Sequence, residues 1–157
     1  MGLFTLISIL MKKIAISACL LGEKCRYDAS DNRDEVLLEQ IKEYELIAFC
    51  PEDDAFGSPR PTIDLIETTH GIKAISNKTG KDLSFAIEEY AKVFFDTYAD
   101  ITMFIGKDRS PSCGVCTAKL YNEEKELLSE QETGIMAKEA KLRGIKAVDA
   151  ENIKGKK

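Results

Sequence analysis

Three short apolar runs, each followed by a cysteine, constrain the fold of this chain more than any other feature. Two of the runs end directly at their cysteine, and the third continues into the loop sequence GKDRSPSCG. Their length and their β-branched residues predict buried strands. The runs and their cysteines are residues 14–18 with Cys19, residues 46–49 with Cys50, and residues 101–105 with Cys113.

Helix-length amphipathic stretches lie between these runs. Residues 35–44 predict a short helix, residues 82–98 predict the longest helix with Asp82 as its cap, and residues 135–142 predict another that ends near Gly144. A further strand is predicted at residues 145–148. Strands that alternate with helices predict a mainly parallel sheet with right-handed crossovers, in a layered α/β fold.

The stretch between the second and third of these strands departs from the alternation. Residues 63–67 and 72–76, joined by TTHG, predict a β-hairpin. Pro51, Pro59 and Pro61 predict that a rigid loop precedes the hairpin, without a helix or a central strand. We therefore expect a three-layer α/β domain with a mainly parallel sheet and a β-hairpin insertion.

The domain organisation follows from length and composition. With 157 residues, 44% hydrophobic and 31% charged, the chain has the size and balance of one globular domain, which we assign to residues 11–157. Residues 1–10 are apolar but too short to span a bilayer, and the nearby positive charges follow them. We expect this segment to be a disordered extension or a misassigned start.

Charge and cysteine content exclude several classes of partner. A net charge of −5 provides no basic surface for extended nucleic acid. Five cysteines, an odd number without a secretory signal, indicate a reducing compartment, so we expect a cytoplasmic protein that does not bind a membrane.

The strand ends predict a site made of thiols. Loops at the carboxyl ends of parallel strands converge at one sheet edge, which would bring Cys19, Cys50 and Cys113 together. Thiolates are ligands for zinc and for iron-sulfur clusters. Structural zinc sites use two close cysteine pairs, and here only Cys113 and Cys116 have ordinary spacing.

Three scattered thiols fit an iron-sulfur cluster better than a zinc site. A 4Fe-4S cluster on three cysteines leaves one iron open, and that iron can act as a Lewis acid. A four-cysteine zinc module, a thiol oxidoreductase using Cys113 and Cys116, and plain buried cysteines remain alternatives.

Polar residues near these cysteines supply candidates for proton transfer. Glu52 lies two residues after the second strand-end cysteine, where it is either a general base or a solvated loop acid. Ser110 and Ser112 flank Pro111, and their hydroxyls either relay protons or cap a turn. Arg60, between two prolines, binds an anion or holds its loop, and we favour the second role.

The ordered motifs SACLLGEKCRYD, CPE, SPRP and SPSCG resemble the thiouracil desulfurase family, over residues 13–153. The resemblance implies a Rossmann-like α/β enzyme that carries a 4Fe-4S cluster on three cysteines. It also implies the non-redox removal of sulfur, as sulfide, from a small thiolated base or nucleoside such as 2-thiouracil.

Carried over by motif, the resemblance assigns roles to single residues. The cluster ligands would be Cys19, Cys50 and Cys113, and the catalytic pair would be Glu52 and Ser110.

The chain departs from the family pattern at several places. Ala29 and Cys116 stand where glycines are usual, and FGSPRPTID replaces a longer glycine-rich and acidic segment. Cys25 matches a motif cysteine that the family does not use as a ligand.

Overall fold

The computed structural model describes residues 12–154, so the predictions for residues 1–10 lie outside the described part of the chain. Strands and helices alternate along most of this part. The strands are β1 (Lys13–Ser17), β2 (Glu45–Phe49), β3 (Ile63–Thr68), β4 (Gly71–Ser76), β5 (Ile101–Gly106), β6 (Ala118–Tyr121), β7 (Leu127–Glu132) and β8 (Lys146–Asp149). The helices are α1 (Glu35–Gln40), α2 (Pro51–Phe56), α3 (Ser84–Thr97), α4 (Ile135–Leu142) and α5 (Ala150–Lys154). None of these helices is long and apolar enough to cross a membrane.

The first sheet is fully parallel, with strand order β2-β1-β5-β8. Because side chains alternate along a strand, the central strands β1 and β5 contribute residues to two hydrophobic cores, one on each face of the sheet. Ala15 and Phe104 pack with α3 and α4 on one face, whereas Ile14, Ile16 and Ile105 pack with α1 and α5 on the other. The predicted three-layer α/β arrangement is therefore confirmed.

The second sheet has the order β4-β3-β6-β7. The predicted hairpin is present as the antiparallel pair β3 and β4. It is part of a larger sheet, since β3 also pairs in parallel with β6, which pairs antiparallel with β7. The sequence did not predict β7, whose residues Leu127 and Leu128 are exposed and show no alternation towards a core.

The expectation that no helix follows Pro51 is wrong, because α2 begins at Pro51 itself. Proline is well tolerated in the first helical turn, where its missing N–H has no intrahelical partner to lose. The helix ends at Phe56, before Pro59 and Pro61, and only the remaining part of the segment is a loop.

Several predicted boundaries move by one or two residues, and the helix predicted at residues 35–44 already ends at Gln40. β1 ends at Ser17, and a short 3-10 helix over Ala18–Leu21 carries Cys19, so this cysteine lies just past the strand. α3 begins at Ser84, whose backbone N–H donates to Asp82 Oδ1 over 2.9 Å, so Asp82 contacts the helix start from one residue before the N-cap.

Candidate active site

A cavity of about 390 Å³ lies at the carboxyl edge of the parallel sheet. Its wall is formed by the segments that follow β1, β2 and β5, together with the start of β3. The five site residues predicted from the sequence all line this one cavity: Cys19, Cys50, Glu52, Ser110 and Cys113.

Cys19 is held in the 3-10 helix after β1 and is buried. The Asn32 side-chain amide lies 3.9 Å from its Sγ as a donor. A hydrogen bond from the Cys25 thiol, helped by Asn32 and the positive charges of Lys107 and Arg26, lowers the pKa of Cys19 to about 7. A substantial fraction of Cys19 is therefore thiolate near neutral pH, and the thiolate is the form that binds metals.

Cys50 directly follows β2 and is the N-cap residue of α2. Its backbone N–H donates to Tyr90 Oη over 3.2 Å, and its Sγ lies 3.6 Å from the Cys25 carbonyl oxygen. A hydrogen bond from the Cys25 thiol lowers the pKa of Cys50 as well. The same two contacts raise the pKa of Cys25, which therefore stays a thiol beside two neighbours that ionise more readily.

Cys113 lies in the loop between β5 and β6, where the backbone is tightly enclosed. Ser110 Oγ accepts hydrogen bonds from the backbone N–H groups of Ser112 at 3.1 Å and Cys113 at 3.0 Å. A Cβ atom on Gly106 would lie 1.8 Å from the Cys113 carbonyl oxygen, so only glycine permits this approach. Burial raises the pKa of the Cys113 thiol.

Asp149, at the end of β8, holds the far side of the same loop. Its fully buried carboxylate accepts hydrogen bonds from the backbone N–H groups of Val115 at 2.7 Å and Cys116 at 2.8 Å. It also accepts one from Thr117 Oγ1 at 2.9 Å. The loop that carries Cys113 is thus fixed to the neighbouring strand of the parallel sheet.

Glu52 occupies the first turn of α2, and the exposed fraction of its side chain is 13%. Ser112 Oγ donates to Glu52 Oε2 over 2.7 Å, and Arg60 Nε lies 3.5 Å from Glu52 Oε1. The carboxylate therefore faces the cavity with defined neighbours on both oxygens. This arrangement differs from that of a solvated loop acid, the alternative that the sequence left open.

The donor set fits an iron-sulfur cluster. The three strand-end thiols line one cavity, and soft thiolates are the ligands that such clusters use. Cys116 is exposed and does not line the cavity, and the loop that holds it does not open a helix.

Sequence reasoning missed the residues that support the predicted ones. Ser112 was predicted either to relay protons or to cap a turn, and its contact with Glu52, 60 residues away in the sequence, was not foreseen. Asp149 and Tyr90 carried no motif at all. The one available signal for Asp149 was its place directly after the strand predicted at residues 145–148, since residues at this position of a parallel sheet meet at the same edge as the cysteines.

The fold and the cavity define an α/β protein whose candidate site lies at the carboxyl edge of a parallel sheet, the usual ligand-binding position in such folds. More particularly, the chain belongs to the 2-thiouracil desulfurase family, whose profile matches residues 14–152. The resemblance seen in the motifs is therefore confirmed, and with it the class of enzyme.

Two similar proteins are known by sequence or structure. The uncharacterized protein YbbK of Bacillus subtilis (strain 168) is 30% identical in a 117-residue alignment that covers 69% of this chain and 76% of that protein. The solved structure of the 4Fe-4S-dependent thiouracil desulfidase TudS matches with a TM-score of 0.70 and 26% identity, covering 90% of this chain and 93% of that one.

Proposed function

We propose that this protein removes sulfur from a small thiolated pyrimidine such as 2-thiouracil, with a 4Fe-4S cluster held by Cys19, Cys50 and Cys113. The observation that carries the proposal is the meeting of these thiols, from the segments after three strands of one parallel sheet, in the cavity that also contains Glu52. The family and the cofactor of the similar desulfidase support it. We place the activity in the cytoplasm, where cysteines are kept reduced.

The reaction is a hydrolysis and needs no oxidant or reductant. The oxygen of water forms a bond to the carbon of the thiocarbonyl group, the carbon–sulfur bond breaks, and sulfur leaves as sulfide. When bound, the cluster supplies an iron without a protein ligand, a Lewis acid that polarises the carbon–sulfur bond.

Glu52 and Ser110 supply the proton transfers. Glu52 Oε2 is occupied by the Ser112 hydroxyl, whereas Oε1 has no short hydrogen bond and can take the proton of the attacking water. Ser110 Oγ accepts two backbone N–H groups, so its own hydroxyl proton is left to donate into the cavity that it lines.

Anaerobic reconstitution with iron and sulfide tests the ligand set. We expect the wild-type protein to bind about four irons with matching acid-labile sulfide, and Cys19→Ala, Cys50→Ala and Cys113→Ala to lose them. Cys116→Ser is the matched control, because it alters a thiol outside the cavity, and it should keep both the cluster and turnover. One zinc per chain without labile sulfide would instead support the zinc module.

Turnover of 2-thiouracil, measured as the amounts of uracil and sulfide that form, tests the role of Glu52 as the general base. Glu52→Gln keeps the shape of the side chain and should keep the cluster, while its turnover falls by about 100-fold or more. Full activity in Glu52→Gln would remove its role as base. Loss of activity in Cys116→Ser with normal iron content would favour the thiol oxidoreductase.

A further inference from the structure

Both oxygens of the Glu52 carboxylate have a polar neighbour from a different segment. Ser112 is fully buried in the loop after β5, and its hydroxyl donates to Oε2 over 2.7 Å. Arg60 lies in the loop after α2, and its Nε is 3.5 Å from Oε1. Neither residue is next to Glu52 in sequence, so the fold itself brings the three side chains together.

Hydrogen bonds to nearby segments hold the Arg60 side chain and backbone in place beside Glu52. Its Nη1 donates to the Gly57 carbonyl oxygen over 3.0 Å and to Ser58 Oγ over 2.6 Å, and its backbone N–H donates to the Tyr27 carbonyl oxygen over 2.7 Å. The side chain is only 6% exposed. The loop thus fixes one edge of the guanidinium and leaves its Nε–H directed to the neighbourhood of the carboxylate.

The Nε–H of Arg60 has no hydrogen-bond partner, and among the described residues it is the one buried side-chain polar group in this condition. A buried donor without an acceptor is unfavourable, and native structures retain one where a function needs it. Glu52 Oε1 is slightly beyond hydrogen-bond length.

Charge gives a second reason for an arginine at this position. Glu52 lies two residues after Cys50, and it contacts Ser112, the chain neighbour of Cys113, so the carboxylate is close to two of the thiols proposed as ligands. A carboxylate among thiolates is repelled, and the always protonated guanidinium of Arg60 is the compensating charge beside it.

We propose that Arg60 and Ser112 are positioning residues that hold Glu52 as an oriented base. Ser112 fixes Oε2, and Arg60 holds Oε1 in place by charge at a distance that keeps its lone pair available for the proton of water. This inference rests on the proposed function, and it replaces the interpretation of Arg60 as a residue that only ties down its loop.

A comparison of kcat with KM separates this role from substrate contact. In cluster-loaded protein, Arg60→Gln and Ser112→Ala should each lower kcat for 2-thiouracil by about tenfold or more, with KM within about twofold and unchanged iron content. Arg143→Gln is the matched control. It removes an arginine that pairs with Asp96 and Glu139 away from the cavity, and kcat should stay at the wild-type value.

Two double variants, Arg60→Gln with Glu52→Gln and Ser112→Ala with Glu52→Gln, test whether these residues act through the carboxylate. Residues that work through one group are not additive, so neither change should lower the remaining rate of Glu52→Gln by more than about twofold. The uracil formed over a long incubation measures that remaining rate. Where the rate is too slow to measure, the comparison of kcat with KM in the single variants tests the positioning role.

Different outcomes overturn different statements. A raised KM with unchanged kcat in Arg60→Gln would assign Arg60 to substrate binding, and an undiminished effect in the Glu52→Gln background would show that it acts independently; either result overturns the positioning role. Should Arg60→Gln fail to fold, Ser112→Ala tests the same carboxylate from its other oxygen. A wild-type protein without cluster or sulfide release would instead contradict the proposed function.

Discussion

Ala29 carries a backbone conformation that suits glycine. Its φ angle is +64°, in the left-handed region, and its N–H donates to the Arg26 carbonyl oxygen over 2.8 Å to close a tight turn. The family pattern places a glycine at this position, and the structure supplies the reason, since a Cβ atom is unfavourable there. The turn lies directly after Cys25 and Arg26, both of which line the cavity.

Replacing Ala29 by glycine should therefore stabilise the protein. We expect Ala29→Gly to raise the free energy of unfolding by about 1 kcal/mol, because relief of the left-handed strain exceeds the added entropy of the unfolded chain. Urea denaturation of cluster-free protein measures this as a higher midpoint with an unchanged slope.

Ala55→Gly provides the control with the opposite sign. Ala55 is exposed within α2, where glycine should lower the free energy of unfolding by about 0.5–1 kcal/mol. Equal destabilisation by the two substitutions would show that the turn at Ala29 carries no strain.

At the scale of elements, the sequence predicted the strands of the parallel sheet well and the segment after β2 poorly. Buried strands give continuous apolar runs, which are a local signal. Pro51 gave a misleading signal, because proline excludes a helix interior but is favoured at the first helical position, and α2 begins there. In the second sheet the hairpin of β3 and β4 was predicted, whereas β7 was missed because most of its residues are exposed and show no alternation towards a core.

For the site, as for the elements, local patterns were predicted and contacts between distant segments were not. The cysteines, Glu52 and Ser110 were predicted because short motifs carry them. Gly106 was not singled out. A side chain there would collide with the carbonyl oxygen of Cys113, and this oxygen comes from a different segment of the chain. Contacts between distant segments, such as those of Ser112 and Asp149, leave no pattern in one sequence.

The loop between β5 and β6 depends on one buried group for its shape. Asp149 accepts three hydrogen bonds from Val115, Cys116 and Thr117, and Asp149→Ala would remove the acceptor of all three, including the buried N–H of Val115. We expect the free energy of unfolding of cluster-free protein to fall by about 3 kcal/mol or more. The iron content after reconstitution should also fall, because Cys113 lies in this loop.

Asp96→Ala is the comparison for this prediction. Asp96 pairs with Arg143 at 2.9 Å but its side chain is 73% exposed, so the loss should be below about 1 kcal/mol with normal iron content. Urea denaturation and iron analysis measure both quantities. An Asp149→Ala protein as stable as Asp96→Ala would show that the loop is held by its other contacts.

At the scale of the whole molecule, the cavity lies where the two sheets approach each other. The segments after β1, β2 and β5 come from the parallel sheet, whereas Thr62, Ile63 and Asp64 belong to the start of β3 in the second sheet. Phe49, which lines the cavity, stacks on Phe104 at 4.8 Å in the apolar core beneath this edge, so the sheet is packed by side chains without a bound ligand.

A cluster bound to the three loops should therefore stabilise the molecule without being required for its fold. A ligand that binds only the native state adds to its stability by mass action, and metal centres that join distant loops do so strongly. We expect the cluster-loaded protein to have a Tm higher by about 5 °C or more than the cluster-free protein. Far-ultraviolet circular dichroism should be nearly the same in both forms.

Thermal unfolding under anaerobic conditions, before and after removal of iron with a chelator, measures this difference. Cys113→Ala should show the lower Tm whether or not iron and sulfide are supplied, whereas Cys116→Ser should respond as the wild-type protein does, because its changed thiol is outside the cavity. An equal rise of Tm in Cys113→Ala would mean that iron binds elsewhere. In that case the stability would come from a site that does not join the loops after β1, β2 and β5.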